Sequence, residues 1–113
     1  MSLFSMLFGS RKAKNSNVKI LSATEFKLHI EKRKVQLVDV RTVVEFKRGS
    51  IKNAKNIDFY SGKFNIEFNK LNKNQAVYLY CRSGSRSRQT AYKIEAMGFE
   101  EVYDLKGGLI RYK

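Results

Sequence analysis

Ala76-Val77-Tyr78-Leu79-Tyr80-Cys81-Arg82-Ser83-Gly84-Ser85-Arg86-Ser87-Arg88 decides how this chain is read. Its first five residues are apolar or aromatic and of strand length, so they form the strongest strand candidate in the sequence. The run from Ser87 to Met97 reads as a helix stopped by Gly98. Between strand and helix lies a Ser/Gly/Arg loop that carries the only cysteine of the chain. In open α/β sheets ligands bind beyond the carboxyl ends of the strands, and Cys81 stands at such an end. The first turn of a helix leaves backbone N–H groups without partners. Gly84 lets the loop curl without a Cβ clash, so these groups form a nest for an anion or a thiolate. Arg82, Arg86 and Arg88 add positive charge, with no acid nearby in sequence. Each influence favours a reactive thiolate at Cys81 over the inert thiol of a buried structural cysteine.

Outward from this loop the pattern alternates strand and helix. Val18–Ile20 reads as a short strand, and Ser22 with Glu25 has the spacing of a capping box that starts a helix through about Glu31. The valine-rich run Val35–Val40 suits a buried parallel strand. Thr42 and Glu45 repeat the capping-box spacing, and Gly49 ends a short helix that reaches about Lys47. Ala54–Ile57 is a weak strand, Phe64–Leu71 a short helix or irregular segment, and Glu101–Tyr103 a last strand before Gly107-Gly108. This order predicts one α/β domain over residues 18–113, with a central, mainly parallel sheet of about four or five strands flanked by helices.

Residues 1–17 differ from the rest: Leu3, Phe4, Leu7 and Phe8 precede the basic and polar stretch Arg11–Asn17. The apolar part is too short to cross a bilayer, and its charges follow it, the reverse of a secretory signal. A flexible tail is the favoured reading. A peripheral membrane contact, with the apolar residues inserted and the basic ones on anionic headgroups, stays open beside it.

The 113 residues suffice for one domain. With 23 Lys and Arg against 10 Asp and Glu, the net charge is +13. Such a field steers anions toward clefts, but the charges are spread along the chain, which favours a lysine-rich surface over dedicated nucleic-acid binding. One cysteine excludes an internal disulfide and a cysteine-rich metal site, and a free thiol suits the reducing cytoplasm.

Spacing separates two chemistries at the loop. A phosphatase loop needs five residues between cysteine and arginine to ring a phosphate, whereas four separate Cys81 from Arg86. The tighter ring suits a smaller group, such as a terminal sulfur on the cysteine. Elsewhere, Asp39 and Arg41 read as a strand-end acid and base that pair with neighbouring loops, and Arg88 reads as solvated. His29 reads as a structural histidine, and Tyr78, Tyr80 and Tyr92 as packing residues.

Two blocks resemble the single-domain rhodanese family of thiosulfate sulfurtransferases. Leu37–Ile57, with Asp39-Val40-Arg41 and Gly49-Ser50-Ile51, is similar to that family's strand–Asp-Val-Arg–helix–Gly-His-Ile pattern, with Ser50 where the histidine stands. Cys81–Ser87 is similar to its active-site loop, and Gly98-Phe99 and Gly107-Gly108 match further signatures. The resemblance implies a rhodanese-like fold and sulfur transfer through a Cys81 persulfide, without metal or organic cofactor. It implies that Arg82, Ser83, Gly84, Ser85 and Arg86 bind the substrate, with Asp39 and Arg41 in support. The implied partners are a small anionic sulfur donor such as thiosulfate and a thiol or protein acceptor. A non-enzymatic sulfur carrier or regulatory module acting with a protein partner is the alternative.

Overall fold

The computed structural model describes residues 16–112. Of the segment read as a tail, residues 1–15 lie outside them; Ser16 Oγ donates to Glu95 Oε1 and Oε2 at 3.0 Å. The elements follow the order β1 (Val18–Leu21), α1 (Ala23–Lys32), β2 (Gln36–Asp39), α2 (Val43–Lys47), β3 (Lys55–Asn56), α3 (Phe64–Asn69), β4 (Val77–Tyr80), α4 (Ser85–Ala96) and β5 (Val102–Leu105). A 3-10 turn over Leu109–Arg111 closes the described chain.

All strand pairs are parallel, in one five-stranded sheet of order β1-β5-β4-β2-β3. The α/β class, the parallel sheet and its flanking helices are as the sequence predicts. The weak third strand shrinks to two residues, paired with Val38 and Asp39. Its neighbour Asn53 has φ +72, the left-handed region that asparagine tolerates better than most residues.

β4 lies in the middle of the sheet, and all four of its residues are buried. Strand residues alternate between faces, and that alternation builds two cores. Val77, Leu79 and Cys81 join Phe64 and Phe68 of α3 and Ala91 and Ile94 of α4 on one face. Tyr78 and Tyr80 join Phe26 of α1 with Leu37, Tyr103 and Leu105 on the other. Cys81 thus inherits its direction from β4 and points toward the face that α4 covers.

β2 leads outward to β3, while β4 leads the other way to β5. The loops after β2 and β4 therefore flank a crevice at their carboxyl ends, the usual ligand position in such sheets.

The tyrosines divide. Tyr80 is buried and its hydroxyl accepts the Ile51 N–H at 3.0 Å; burial pushes its ionisation well above the ordinary tyrosine range. Tyr78 stacks on Tyr103, ring centroids 4.5 Å apart, and its hydroxyl meets His29 Nδ1 at 2.6 Å. Those contacts account for His29 as a half-buried structural residue. Tyr92 is a correction: it is exposed rather than packed, because α4 turns that face to solvent.

Candidate active site

The loop from Cys81 curls at Gly84. This residue has φ +107, which a side chain rarely adopts, and it starts α4 two residues earlier than the helical pattern predicts. The early start aims two backbone N–H groups at the sulfur. Gly84 N–H donates to Cys81 Sγ at 3.1 Å and Ser87 N–H at 3.4 Å. Cys81 is only 1% exposed, so the sulfur sits at the floor of this nest. Both donors converge on the sulfur at the N-terminus of α4, where backbone N–H groups lack intrahelical partners.

Ser87 is buried inside the first turn, where its hydroxyl donates to the Gly84 carbonyl at 3.4 Å. Gly84 holds the cap position of the helix. Ser83 and Ser85 are exposed on the outer side of the curl.

A second segment holds the loop from behind. Leu109 N–H donates to the Cys81 carbonyl at 2.9 Å and Ile110 N–H to the Arg82 carbonyl at 3.1 Å. Gly108 permits this approach: its φ is +69, and a Cβ there would collide with the Arg82 carbonyl. Gly107-Gly108 is thus a backbone clamp on the loop.

The arginines have different fates. Arg86 reaches across the crevice to Glu45 of α2, Nη1 to Oε1 at 2.7 Å and Nη2 to Oε2 at 3.0 Å. This fork holds the Glu45 carboxyl at about 2, well below the usual carboxylate range. Arg86 also lies over the Tyr60 ring, 6.0 Å from its centroid. Arg88 corrects the solvated reading: its Nε donates to Asp104 Oδ2 at 2.8 Å. Burial raises the Asp104 carboxyl, and its other oxygen has no partner among the described residues.

Asp39 and Arg41 also differ from expectation. They pair first with each other, Arg41 Nη2 to Asp39 Oδ2 at 2.7 Å, and only Arg41 also reaches a neighbouring loop. Arg41 donates further to the Gly49 carbonyl at 2.6 Å, and Asn56 Nδ2 donates to the carbonyls of Asp39 and Arg41 at 2.9 Å. The pair therefore shapes the turn after β2 from which α2 and Glu45 project. Arg82 is exposed on the loop beside a hollow lined by Arg41, Glu45, Arg48, Leu109 and Ile110.

Glu45 and Asp104 escaped the sequence reading because their arginine partners lie far off in the chain. The capping box already gave Glu45 a complete local role.

The profile of the rhodanese-like domain family matches residues 22–113. A protein of Allochromatium vinosum named sulfurtransferase is 35% identical over 78 residues, 69% of this chain and 71% of that protein. The tRNA uridine(34) hydroxylase of Buchnera aphidicola is 35% identical over 96 residues, 81% of this chain. The chain matches only 31% of that hydroxylase's length. The crystal structure of a rhodanese-like domain protein from Staphylococcus aureus superposes with a TM-score of 0.75 at 33% identity, covering 84% of this chain and 91% of that one.

Proposed function

The chain belongs to the rhodanese-like domain family, and from that premise we propose that it is a sulfurtransferase working through a persulfide on Cys81. The observation that carries this reading is the nest itself, with the Gly84 and Ser87 N–H groups 3.1 and 3.4 Å from the sulfur. A thiolate there attacks the outer sulfur of a donor such as thiosulfate. The Cys81 S–S bond forms, the donor's S–S bond breaks, and its electron pair leaves on sulfite. The loop's N–H groups over Arg82, Ser83, Gly84, Ser85 and Arg86 cradle the resulting persulfide anion. A thiolate acceptor then attacks the outer sulfur, and the pair of the broken bond returns to Cys81. Charge balances in both steps, which require no metal or organic cofactor.

In this reading Arg82 meets the donor's anionic end. The Arg86 side chain, held on Glu45, keeps the curl in shape while its backbone serves the nest. The relative named sulfurtransferase supports the chemistry. A lone thiol of this kind suits the reducing cytoplasm. Among the described residues no helix is long and apolar enough to cross a membrane.

The test is mass spectrometry of the protein after incubation with thiosulfate. The mass of one sulfur atom is expected on the wild type and not on Cys81→Ser. A wild type that takes up no sulfur from thiosulfate or any other sulfane donor overturns the proposal. A carrier that serves only a protein partner is the second reading, supported by relatives in which this domain is a minor part of the chain. Turnover with small thiols alone eliminates it.

A further inference from the structure

A second hollow lies at the other end of the sheet, between the end of α1 and the turn before β3. The strands run parallel, so the residues just before β2 and β3 are remote from Cys81, which follows β4. Leu37, in the floor of this hollow, also belongs to the core face opposite that of Cys81. Whatever binds here is separate from the sulfur chemistry.

The floor is hydrocarbon. Leu37 is buried in the sheet, and Ile30 and Val35 are half-buried against the same core. The rim is cationic. Arg33 caps the end of α1, Lys34 follows it, and Lys52 comes from the turn before β3; all three are exposed. No carboxylate lines the hollow, and none pairs with these three side chains among the described residues. Arg33 is no loose surface charge. Its Nη2 donates to the Tyr78 hydroxyl, and its guanidinium lies 5.7 Å from the Tyr78 ring centroid and 6.0 Å from that of Tyr103. Burial raises the ionisation of both tyrosines, so they hold the guanidinium in place without neutralising it.

We propose that this hollow binds a small amphipathic carboxylate, of the class of short- and medium-chain fatty acids, with its hydrocarbon on Ile30, Val35 and Leu37 and its charge on Arg33, Lys34 and Lys52. A volume of about 270 Å³ lies just below the roughly 300 Å³ at which drug-sized pockets begin, which suits a molecule of that size. The net charge of +13 attracts any anion, so the rim alone selects nothing. The floor supplies the selection: covering it is favourable only for a ligand with an apolar chain. The planar fork of Arg33 in turn matches a carboxylate and has nothing to meet on a neutral chain.

Titration of octanoate into the full chain, followed through the methyl resonances of Ile30, Val35 and Leu37, tests this. Saturable shifts are expected, with octanol binding about tenfold more weakly because it leaves the rim unanswered. From butanoate through hexanoate to octanoate, affinity should rise roughly threefold per methylene. Replacing both exposed lysines, Lys34→Gln with Lys52→Gln, should weaken octanoate about fivefold and leave octanol unchanged. Added salt should act in the same direction. Cys81→Ser should bind octanoate as the wild type does. Absence of saturable shifts at these methyls, equal affinity for octanol and octanoate, or loss of binding in Cys81→Ser overturns the inference. A response to phosphatidylglycerol vesicles without one to free octanoate overturns it as well, by assigning the face to a membrane. Persulfide loading reads Cys81 alone, so the sulfur-transfer reading and this site fail separately.

Discussion

α1 and α2 begin with the same device and bear different loads. Each opens on a hydroxyl residue followed by a glutamate at the third helical position. Ser22 Oγ accepts the Glu25 N–H at 3.1 Å, and Thr42 Oγ1 accepts the Glu45 N–H at 3.2 Å. The reciprocal bonds from the cap N–H to the glutamate measure 3.3 and 3.0 Å. α1 has ten residues and buries Phe26 completely, so its position is secured by packing. α2 has five residues, none of them buried. Its place depends on polar contacts, and the same Glu45 that closes its cap also takes the Arg86 fork. A local motif therefore does not reveal whether its glutamate has capacity left for a distant partner.

The largest expected effect comes from breaking the second role. Glu45→Ala removes a cap contact and leaves the Arg86 guanidinium unpaired in a half-buried site. The expected destabilisation is roughly 2–3 kcal/mol, below the about 3–5 of a fully buried pair because both side chains keep some solvent contact. Urea denaturation checks it. Because the Arg86 fork fixes the curl that aims the nest, single-turnover persulfide formation from thiosulfate should also fall, on the order of 10²-fold. Unchanged turnover in a folded Glu45→Ala protein would mean that the nest holds its shape without α2.

How much of this the amino-acid sequence reveals follows from the range of each interaction. The buried strand over Val77–Tyr80, both capping boxes and the turn at Gly84 depend on neighbours in the chain, and they stand out as local patterns. The true start of α4 at Ser85 is a local feature as well, but it is decided by the left-handed φ of Gly84, which overrides the helical periodicity that begins at Ser87. The fork from Arg86 to Glu45, the pairing of Arg88 with Asp104 and the approach of Gly108 to Arg82 join segments that only sheet order brings together. No spacing rule encodes them.

A smaller effect sharpens the contrast through pH. Arg86 depresses the Glu45 carboxyl from 4.5 to about 2 in the folded protein. A folded-state value below the unfolded one means that the unfolded chain binds a proton first as pH falls. The stabilisation is thus fully present above about 4.5 and is lost as pH falls toward about 2. Glu45→Gln, which keeps a hydrogen-bonding amide, should flatten the loss of stability across that window in acid titrations of the urea midpoint. Equal slopes in wild type and Glu45→Gln would show that the fork contributes nothing to acid stability.

The smallest expected effect belongs to the cap that has only its local role. Ser22→Ala removes one acceptor for an exposed N–H and should cost about 1 kcal/mol, the ordinary value of an N-cap. Phe26 keeps α1 seated on the sheet, so persulfide formation should match the wild type. Thr42→Ala deletes the equivalent acceptor; each cap hydroxyl also donates to its glutamate, Ser22 Oγ to Glu25 Oε1 at 3.2 Å and Thr42 Oγ1 to Glu45 Oε1 at 3.1 Å, but only Glu45 Oε1 also receives Arg86 Nη1. Its stability cost should be similar, yet it should slow persulfide formation several-fold by loosening the carboxylate that braces the loop. The decisive quantity is the ratio of rate loss to stability loss in the two variants, measured side by side. If that ratio is the same for Ser22→Ala and Thr42→Ala, the two capping boxes are functionally equivalent and Glu45 does not couple α2 to the nest.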